Sequence, residues 1–182
     1  RSPVSFSHAQ DPALAPLLGA TQNPMQFKTI LLPLSLTFAL AACPGSESAD
    51  PAQLIQQGQY DAAIEAAEGQ LQTVEAGSAE HKELVIVYAE ALAESRADES
   101  RDAFLAFAKD HPDMVEPADF KYVVSGLRTH AAYVQAIDVM DAGKKRWAED
   151  STIDELVEAL KQDIAKSGDA DSMAKMKGLG YM

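Results

Sequence analysis

Cysteine is nearly absent from this sequence: Cys43 is the single one among 182 residues. No disulfide can therefore form within the chain. If the protein is exported, its folded domain must be stable without this covalent constraint, which many small secreted domains use. The position of the lone cysteine is informative, because it lies where an apolar segment changes abruptly into the polar stretch "PGSESAD".

Basic residues are also scarce, with 15 Lys and Arg against 28 Asp and Glu and a formal net charge of −13. Residues 43–182 alone carry 13 basic and 27 acidic residues, a net charge of −14. Nucleic-acid binding requires clustered cations that neutralise phosphates, so this composition argues against a nucleic-acid partner. It also disfavours an extensive electrostatic contact with anionic lipid head groups.

Catalytic signatures are missing as well. The sequence contains no HExxH, GxSxG, P-loop or GxGxxG motif, and no pair of histidines at helical i,i+4 spacing. Most carboxylates fall on the expected solvent faces of helices. The basic cluster at residues 144–146 is predicted to close a helix, where cations interact favourably with the helix dipole, and Trp147 is predicted to pack against the next helix. We therefore predict no catalytic residue, no metal site and no cofactor, and a protein that is not an enzyme.

Long hydrophobic runs are absent too. The most apolar segment, residues 29–40, is 12 residues long and contains Pro33. A helix needs about 20 apolar residues to cross the hydrocarbon core of a bilayer. The segment instead follows Met25 and Lys28 and ends in small residues, which is typical of a secretory signal peptide. We predict this signal peptide over residues 25–42.

The end of this segment, Leu40-Ala41-Ala42-Cys43, resembles the lipobox of bacterial lipoproteins. The resemblance implies that Cys43 receives a diacylglyceryl group and becomes the first residue of the mature protein, anchored to the membrane on its extracytoplasmic face. Pro44 and Gly45 lack the aspartate associated with inner-membrane retention, which favours the outer membrane if the cell has one. The alternatives are an ordinary signal peptide with a chance cysteine, or a buried free thiol.

The chain divides by composition into five segments. Residues 1–24 precede the plausible start at Met25 and are expected to be an upstream extension outside the mature protein, a longer signal-peptide start being the alternative. Residues 43–51 form the lipidated cysteine and a flexible spacer. Residues 52–166 form the folded domain, and residues 167–182 form a tail that docks on its own domain, frays, or enters a partner.

The folded domain shows helical periodicity nearly throughout, so we predict an all-α fold. Three segments place apolar residues on one helical stripe: residues 81–94, residues 117–128 and residues 151–166. The third segment also has Thr152 and Glu155 at capping-box spacing. The stripe residues are Leu84, Val87, Tyr88, Ala91 and Leu92 in the first segment; Phe120, Val123, Val124 and Leu127 in the second; and Ile153, Leu156, Val157, Leu160 and Ile164 in the third.

Three further segments resemble one another, beginning at Gln57, Glu94 and His130. The second residue of each segment is small, another small residue follows five positions later, and a core residue follows four positions after that. The first small residue suits a tight helix–helix turn, and the second lets two helices approach closely. These triplets are Gly58, Ala63 and Ala67; Ser95, Ser100 and Phe104; and Ala131, Ala136 and Met140.

This pattern resembles the tetratricopeptide repeat family, in which units of about 34 residues form two antiparallel helices. The resemblance implies a helix-hairpin solenoid of about three repeats, with residues 151–166 as a C-terminal capping helix.

The resemblance also implies a binding groove lined by the first helix of each unit. The candidate groove residues are Lys82, Val85, Ala89, Leu92, Lys121, Ser125 and Arg128. The expected partner is another envelope protein or peptide. The three cations make an acidic segment of that partner one candidate for the bound group. The expected function is thus a membrane-anchored protein-interaction scaffold. The alternative is an envelope enzyme or small-molecule-binding lipoprotein with no recognisable catalytic motif.

Overall fold

The computed structural model describes residues 49–182, and within this range the regular elements are all helices, with no strand. The all-α prediction is confirmed for this part of the chain. The predicted extension 1–24, the signal peptide 25–42 and Cys43 lie outside the described residues. The α-helices are α1 Pro51–Gln56, α2 Tyr60–Leu71, α3 Ala79–Leu92, α4 Ala97–Asp110, α5 Pro117–Thr129, α6 Tyr133–Arg146, α7 Ser151–Ser167 and α8 Ala170–Gly178, and a short 3-10 turn, Pro112–Met114, lies between α4 and α5.

Side-chain caps explain where several helices begin. The Asp50 carboxylate accepts a hydrogen bond from the Ala52 N–H at 3.0 Å, and Ser78 Oγ accepts one from the His81 N–H at 3.1 Å. For α7 the capping residue is Asp150, whose carboxylate accepts from the Thr152 N–H at 2.8 Å. The predicted capping box of Thr152 and Glu155 is therefore wrong, because the N-cap residue is Asp150, two residues earlier than that spacing assumed.

The turns between paired helices use the expected small residues in two different ways. Gly58, before α2, has a φ of +73°, and Ala131, before α6, has a φ of +57°, so both lie in the left-handed region. Ser95 does not adopt a left-handed conformation. Ala131 is the sole described residue other than glycine with a positive φ, a conformation that is unfavourable for a residue with a Cβ atom.

The core forms where the apolar stripes of α5 and α7 were predicted. In α3 the predicted stripe is only partly correct, because Val87 and Tyr88 are half-buried while Val85 and Ala89 are buried. All the stripe residues named for α5 and α7 are buried. The second small residues of the repeated segments, Ala63, Ser100 and Ala136, are fully buried as well. Ser100 satisfies its hydroxyl by donating to the Ala89 carbonyl oxygen of α3 at 2.6 Å, so a polar side chain is tolerated at this close contact.

The helices pack in two rows. In the first row α1, α3, α5 and α7 each contact the next member, and in the second row α4, α6 and α8 do the same. Each first-row helix also packs against the helix that follows it in sequence. The second row therefore covers one side of the first row. The opposite side of the first row carries the candidate site.

The C-terminal residues dock on this body, which was one of three alternatives left open by the sequence. Met176 of α8 is fully buried, and the Lys175 ammonium lies 2.7 Å from the Asp138 carboxylate of α6. The Tyr181 hydroxyl donates to Asp141 at 2.9 Å. Helix α7 is thus followed by a further packed helix, α8, which was not predicted. No helix within residues 49–182 has the length and apolarity that a membrane span requires.

Candidate functional site

The three cations of the predicted groove lie on first-row helices, and each is paired with a carboxylate of the next first-row helix. Lys82 of α3 lies 3.4 Å from Asp119 of α5. Two residues of α5 form ion pairs of the same kind with α7: Lys121 lies 3.1 Å from Glu155, and Arg128 lies 2.7 Å from Asp163. The cations are therefore neutralised by neighbours 34 to 37 residues away in sequence, and they bridge adjacent helices.

The three apolar members of the predicted groove are core residues. Val85 and Ala89 belong to the main core cluster, and Leu92 belongs to a smaller cluster with Ile64. Their side chains are buried and therefore cannot line an accessible face. Binding by Lys82, Lys121, Ser125 and Arg128, which retain accessible surface, stays a prediction.

The most exposed aromatic side chain of the described residues lies beside Ser125 and was not singled out from the sequence. Tyr122 of α5 is 49% exposed. Its hydroxyl donates to Glu90 Oε2 of α3 at 2.6 Å, which joins two first-row helices. This hydrogen bond to a carboxylate, followed by partial burial, raises the pKa of Tyr122 to about 12.

A sequence signal for this exposure does exist. The side chains one helical turn from Tyr122 on α5 include Ala118, Ser125 and Gly126, and none of them is large enough to cover an aromatic ring. The stripe Phe120, Val123, Val124 and Leu127 faces the core, so Tyr122 necessarily points away from it. Recognising an aromatic residue on the polar face of an amphipathic helix would have identified it.

A surface pocket of about 340 Å³ lies at the C-terminal ends of α5 and α7. It is lined by the paired Arg128 and Asp163, the hydroxyl residues Tyr133 and Ser167, and Lys166. Lys166 forms no ion pair with any described residue, so this pocket carries one unneutralised positive charge. Tyr133 and Lys166 were not among the predicted groove residues.

The three histidines within residues 49–182 pack against aromatic rings. His81 Nδ1 accepts a hydrogen bond from the Gly77 N–H at 2.9 Å, and its ring meets Phe107 edge-on with centroids 5.2 Å apart. The His111 ring lies 5.0 Å from Phe107, and His130 contacts Tyr60 edge-on at 5.5 Å. Across residues 49–182, no three His, Cys, Asp or Glu side chains are arranged to hold a metal ion.

The basic cluster occupies the last turn of α6, as predicted. Lys145 lies 2.6 Å from Asp141, Lys144 pairs with Asp154, and the Arg146 guanidinium lies 4.5 Å from the centroid of the Trp147 ring. Trp147 itself meets Phe120 edge-on with centroids 5.2 Å apart, so it packs against the core. The cluster therefore stabilises the end of α6 and its contact with α7.

No protein-family profile, curated protein or solved structure matches this chain significantly.

Proposed function

We propose that this chain is a membrane-anchored lipoprotein whose helical domain binds another protein or peptide of the bacterial cell envelope. Cys43 would carry the lipid, residues 44–51 would serve as a spacer, and the helices would form the binding module. The lipid anchor is supported by the sequence Leu40-Ala41-Ala42-Cys43 at the end of a signal-type apolar segment.

We also propose that the helical domain is a tetratricopeptide-like stack of four helix pairs, α1–α2, α3–α4, α5–α6 and α7–α8. The neighbour pattern supports this, because each first-row helix contacts its own partner and the next first-row helix. Small residues recur before the second helices at positions 58, 95, 131 and 168, and three of the four have left-handed backbone conformations. On this proposal α7 opens a fourth pair instead of capping a third.

The observation that carries the binding proposal is the uncovered face of the first row. Helices α3, α5 and α7 lie side by side, and the second row packs against their opposite side. The accessible side chains on this face include Glu90, Tyr122, Ser125 and Gln162, which come from three helices. A face built from successive helices provides an extended surface for a protein segment, which is how helical-repeat proteins generally bind.

A photo-crosslinking experiment in native membranes tests this proposal. A photoreactive amino acid replaces Ser125 on the first row, and a matched control places it at Glu65, which is exposed on α2. We expect a discrete crosslinked product that mass spectrometry identifies as an envelope protein, formed from position 125 and not from position 65. Absence of a product at 125, or equal products at both positions, would contradict binding at this face.

A further inference from the structure

The first-row face has a distinct chemical character around one ring. We define the Tyr122 face as Tyr122 and Ser125 of α5 together with Glu83 and Glu90 of α3. Among the described residues, the exposed large hydrophobic side chains are Tyr122, Leu179 and Met182, and the last two lie at the chain terminus. Among the described residues, Tyr122 is therefore the one exposed large hydrophobic residue in the interior of a helix. Because α5 is packed and rigid, it holds this side chain ready for a contact.

The orientation of the ring is restrained while its surface stays accessible. The hydroxyl is held by Glu90 at 2.6 Å, so the side chain bridges α3 and α5. The position four residues further along α5 is Gly126, and a Cβ atom there would already contact Glu90 Cγ at 3.8 Å. The small residue thus lets the Glu90 side chain reach the tyrosine, and it leaves the ring uncovered on that side.

The charge around the ring is negative, which is the opposite of what the sequence suggested for this region. Lys82 and Lys121, the nearest cations on α3 and α5, are each paired with a carboxylate of the following first-row helix. Glu83 and Glu90 are two helical turns apart on α3, so they lie on the same side of that helix. Neither forms an ion pair with any residue in the range 49–182.

We propose that the Tyr122 face binds a lysine- or arginine-bearing segment of the partner protein, with one cationic side chain seated over the Tyr122 ring and within reach of Glu90. This inference rests on the proposed function and names the chemistry of its partner. A cation over a tyrosine ring is attracted by the ring quadrupole, and adjacent unpaired carboxylates add to that attraction. An acidic segment would meet two carboxylates and no unpaired cation here, so it is disfavoured.

Peptide titrations of the isotope-labelled full chain, followed by NMR at low salt, test the inference. The probes are the capped heptapeptide Gly-Arg-Gly-Lys-Gly-Arg-Gly and its charge-reversed counterpart with glutamates at the three cationic positions. We expect saturable shifts confined to the backbone signals around Tyr122, Glu83 and Glu90 with the basic peptide alone. Because a cation–π contact contributes about 0.5–2 kcal/mol, Tyr122→Ala should weaken binding by about 2-fold to 30-fold.

Matched variants separate a specific site from general attraction to an acidic protein. Glu83→Gln with Glu90→Gln should weaken binding of the basic peptide, whereas Asp61→Asn with Glu65→Gln removes the same charge from exposed positions of α2 and should leave binding unchanged. Tyr122→Phe keeps the ring and should retain most of the affinity. Signal dispersion in the spectrum of each variant verifies that it is folded.

Chemical-shift changes spread over all acidic surfaces, or equal loss of binding in both double variants, would overturn the inference. Stronger binding of the acidic peptide, or no binding of either peptide, would overturn it as well. The outcome is separable from that of the proposed function. Suppose that a partner is crosslinked through position 125 and that its capture is unchanged in the variant Glu83→Gln/Glu90→Gln. The binding function would then stand, but the proposal that the partner segment is cationic would be refuted.

Discussion

At the scale of single residues, the closest contacts in this fold depend on positions with little or no side chain. Gly143 of α6 is the tightest of those inside a described helix: a Cβ atom there would lie 3.0 Å from Phe120 Cδ1 and 3.1 Å from Ile153 Cδ1. Phe120 is held between Phe104 and Trp147, with ring centroids 4.9 Å and 5.2 Å away, so it has little room to move. The glycine therefore sets how closely α6 approaches α5 and α7.

Gly143→Ala should consequently destabilise the protein by about 1 kcal/mol. Alanine gains about 1 kcal/mol of helix propensity over glycine, but overpacking a filled core costs about 1–3 kcal/mol. The matched control is Gly69→Ala in α2, where a Cβ atom would meet nothing within 4 Å. That variant should stabilise the protein by about 0.5–1 kcal/mol. Urea denaturation of both variants measures the difference, and stabilisation by Gly143→Ala would contradict the packing described here.

Three tyrosines should titrate unusually late. Burial and a hydrogen bond to Glu68 raise the pKa of Tyr88 to about 12, from an ordinary value of 10.0. The pKa of Tyr122 rises to about 12 chiefly through its bond to Glu90, and that of Tyr181 to about 12 chiefly through burial, helped by Asp141. Because these values are higher in the folded than in the unfolded chain, their stabilisation is complete below pH 10 and is lost as the pH rises toward 12.

Ultraviolet absorbance of the phenolate, recorded against pH, measures this effect. Tyr122→Phe should remove one of the late-titrating groups, and Glu90→Gln should move the pKa of Tyr122 back toward 10 because the charged acceptor is gone. If Tyr88, Tyr122 and Tyr181 ionise near pH 10 while the chain is still folded, their hydrogen bonds to carboxylates do not exist in solution.

At the scale of helices, α8 shows how a short terminal element is held in place. Asp169 caps it by accepting from the N–H groups of Asp171 and Ser172, and the hydrogen bonds from Ser172 lower the pKa of the Asp169 carboxylate. The Met176 side chain fills the core, and the Lys175 ammonium donates to the Val134 carbonyl oxygen at 3.1 Å and pairs with Asp138. A nine-residue helix is not stable alone, so these contacts are what order it.

Met176→Ala should therefore destabilise the whole domain by about 2–5 kcal/mol, the usual range for removing a buried methionine side chain. The control is Met182→Ala, because Met182 is 47% exposed and should contribute almost nothing. Thermal unfolding monitored by circular dichroism compares the two variants. Equal stability of both would mean that the C-terminal residues are not docked in solution.

At the scale of the whole molecule, the proposals place membrane attachment at Cys43 and partner binding on α3 and α5, so the two functions use separate parts of the chain. A net charge of −14 over residues 43–182 opposes adsorption to anionic lipid, so attachment would depend on Cys43. A lipid chain contributes about 0.8 kcal/mol for each buried methylene group, and stable anchoring needs more than one chain.

Cys43→Ser should thus abolish lipid attachment and leave unprocessed or mislocalised precursor, because the sequence contains no other thiol. Ser48→Ala, five residues downstream in the spacer, is the control and should be processed normally. Mass spectrometry of the N-terminal peptide distinguishes the outcomes. An unmodified Cys43, or cleavage at another bond in the parent protein, would reject the lipoprotein proposal.

Local sequence alone determined most of the helices and most of the core, although not α8. The stripe over residues 151–166 predicted α7 to within one residue, and its five apolar positions are all buried. The close-packing residues Ala63, Ser100 and Ala136 were also identified from the sequence. These features were predictable because helical periodicity and side-chain size act over three or four residues, a distance that the sequence shows directly.

Only the tertiary structure decided the charge and accessibility of the candidate face. Lys121 and Arg128 looked like unpaired cations on α5, yet each meets a carboxylate more than 30 residues away on α7. Val85 and Ala89 looked like groove residues, but the second row and α5 bury them. Which carboxylate reaches which cation depends on the register between packed helices, and a change of one residue rotates a side chain by about 100° around its helix.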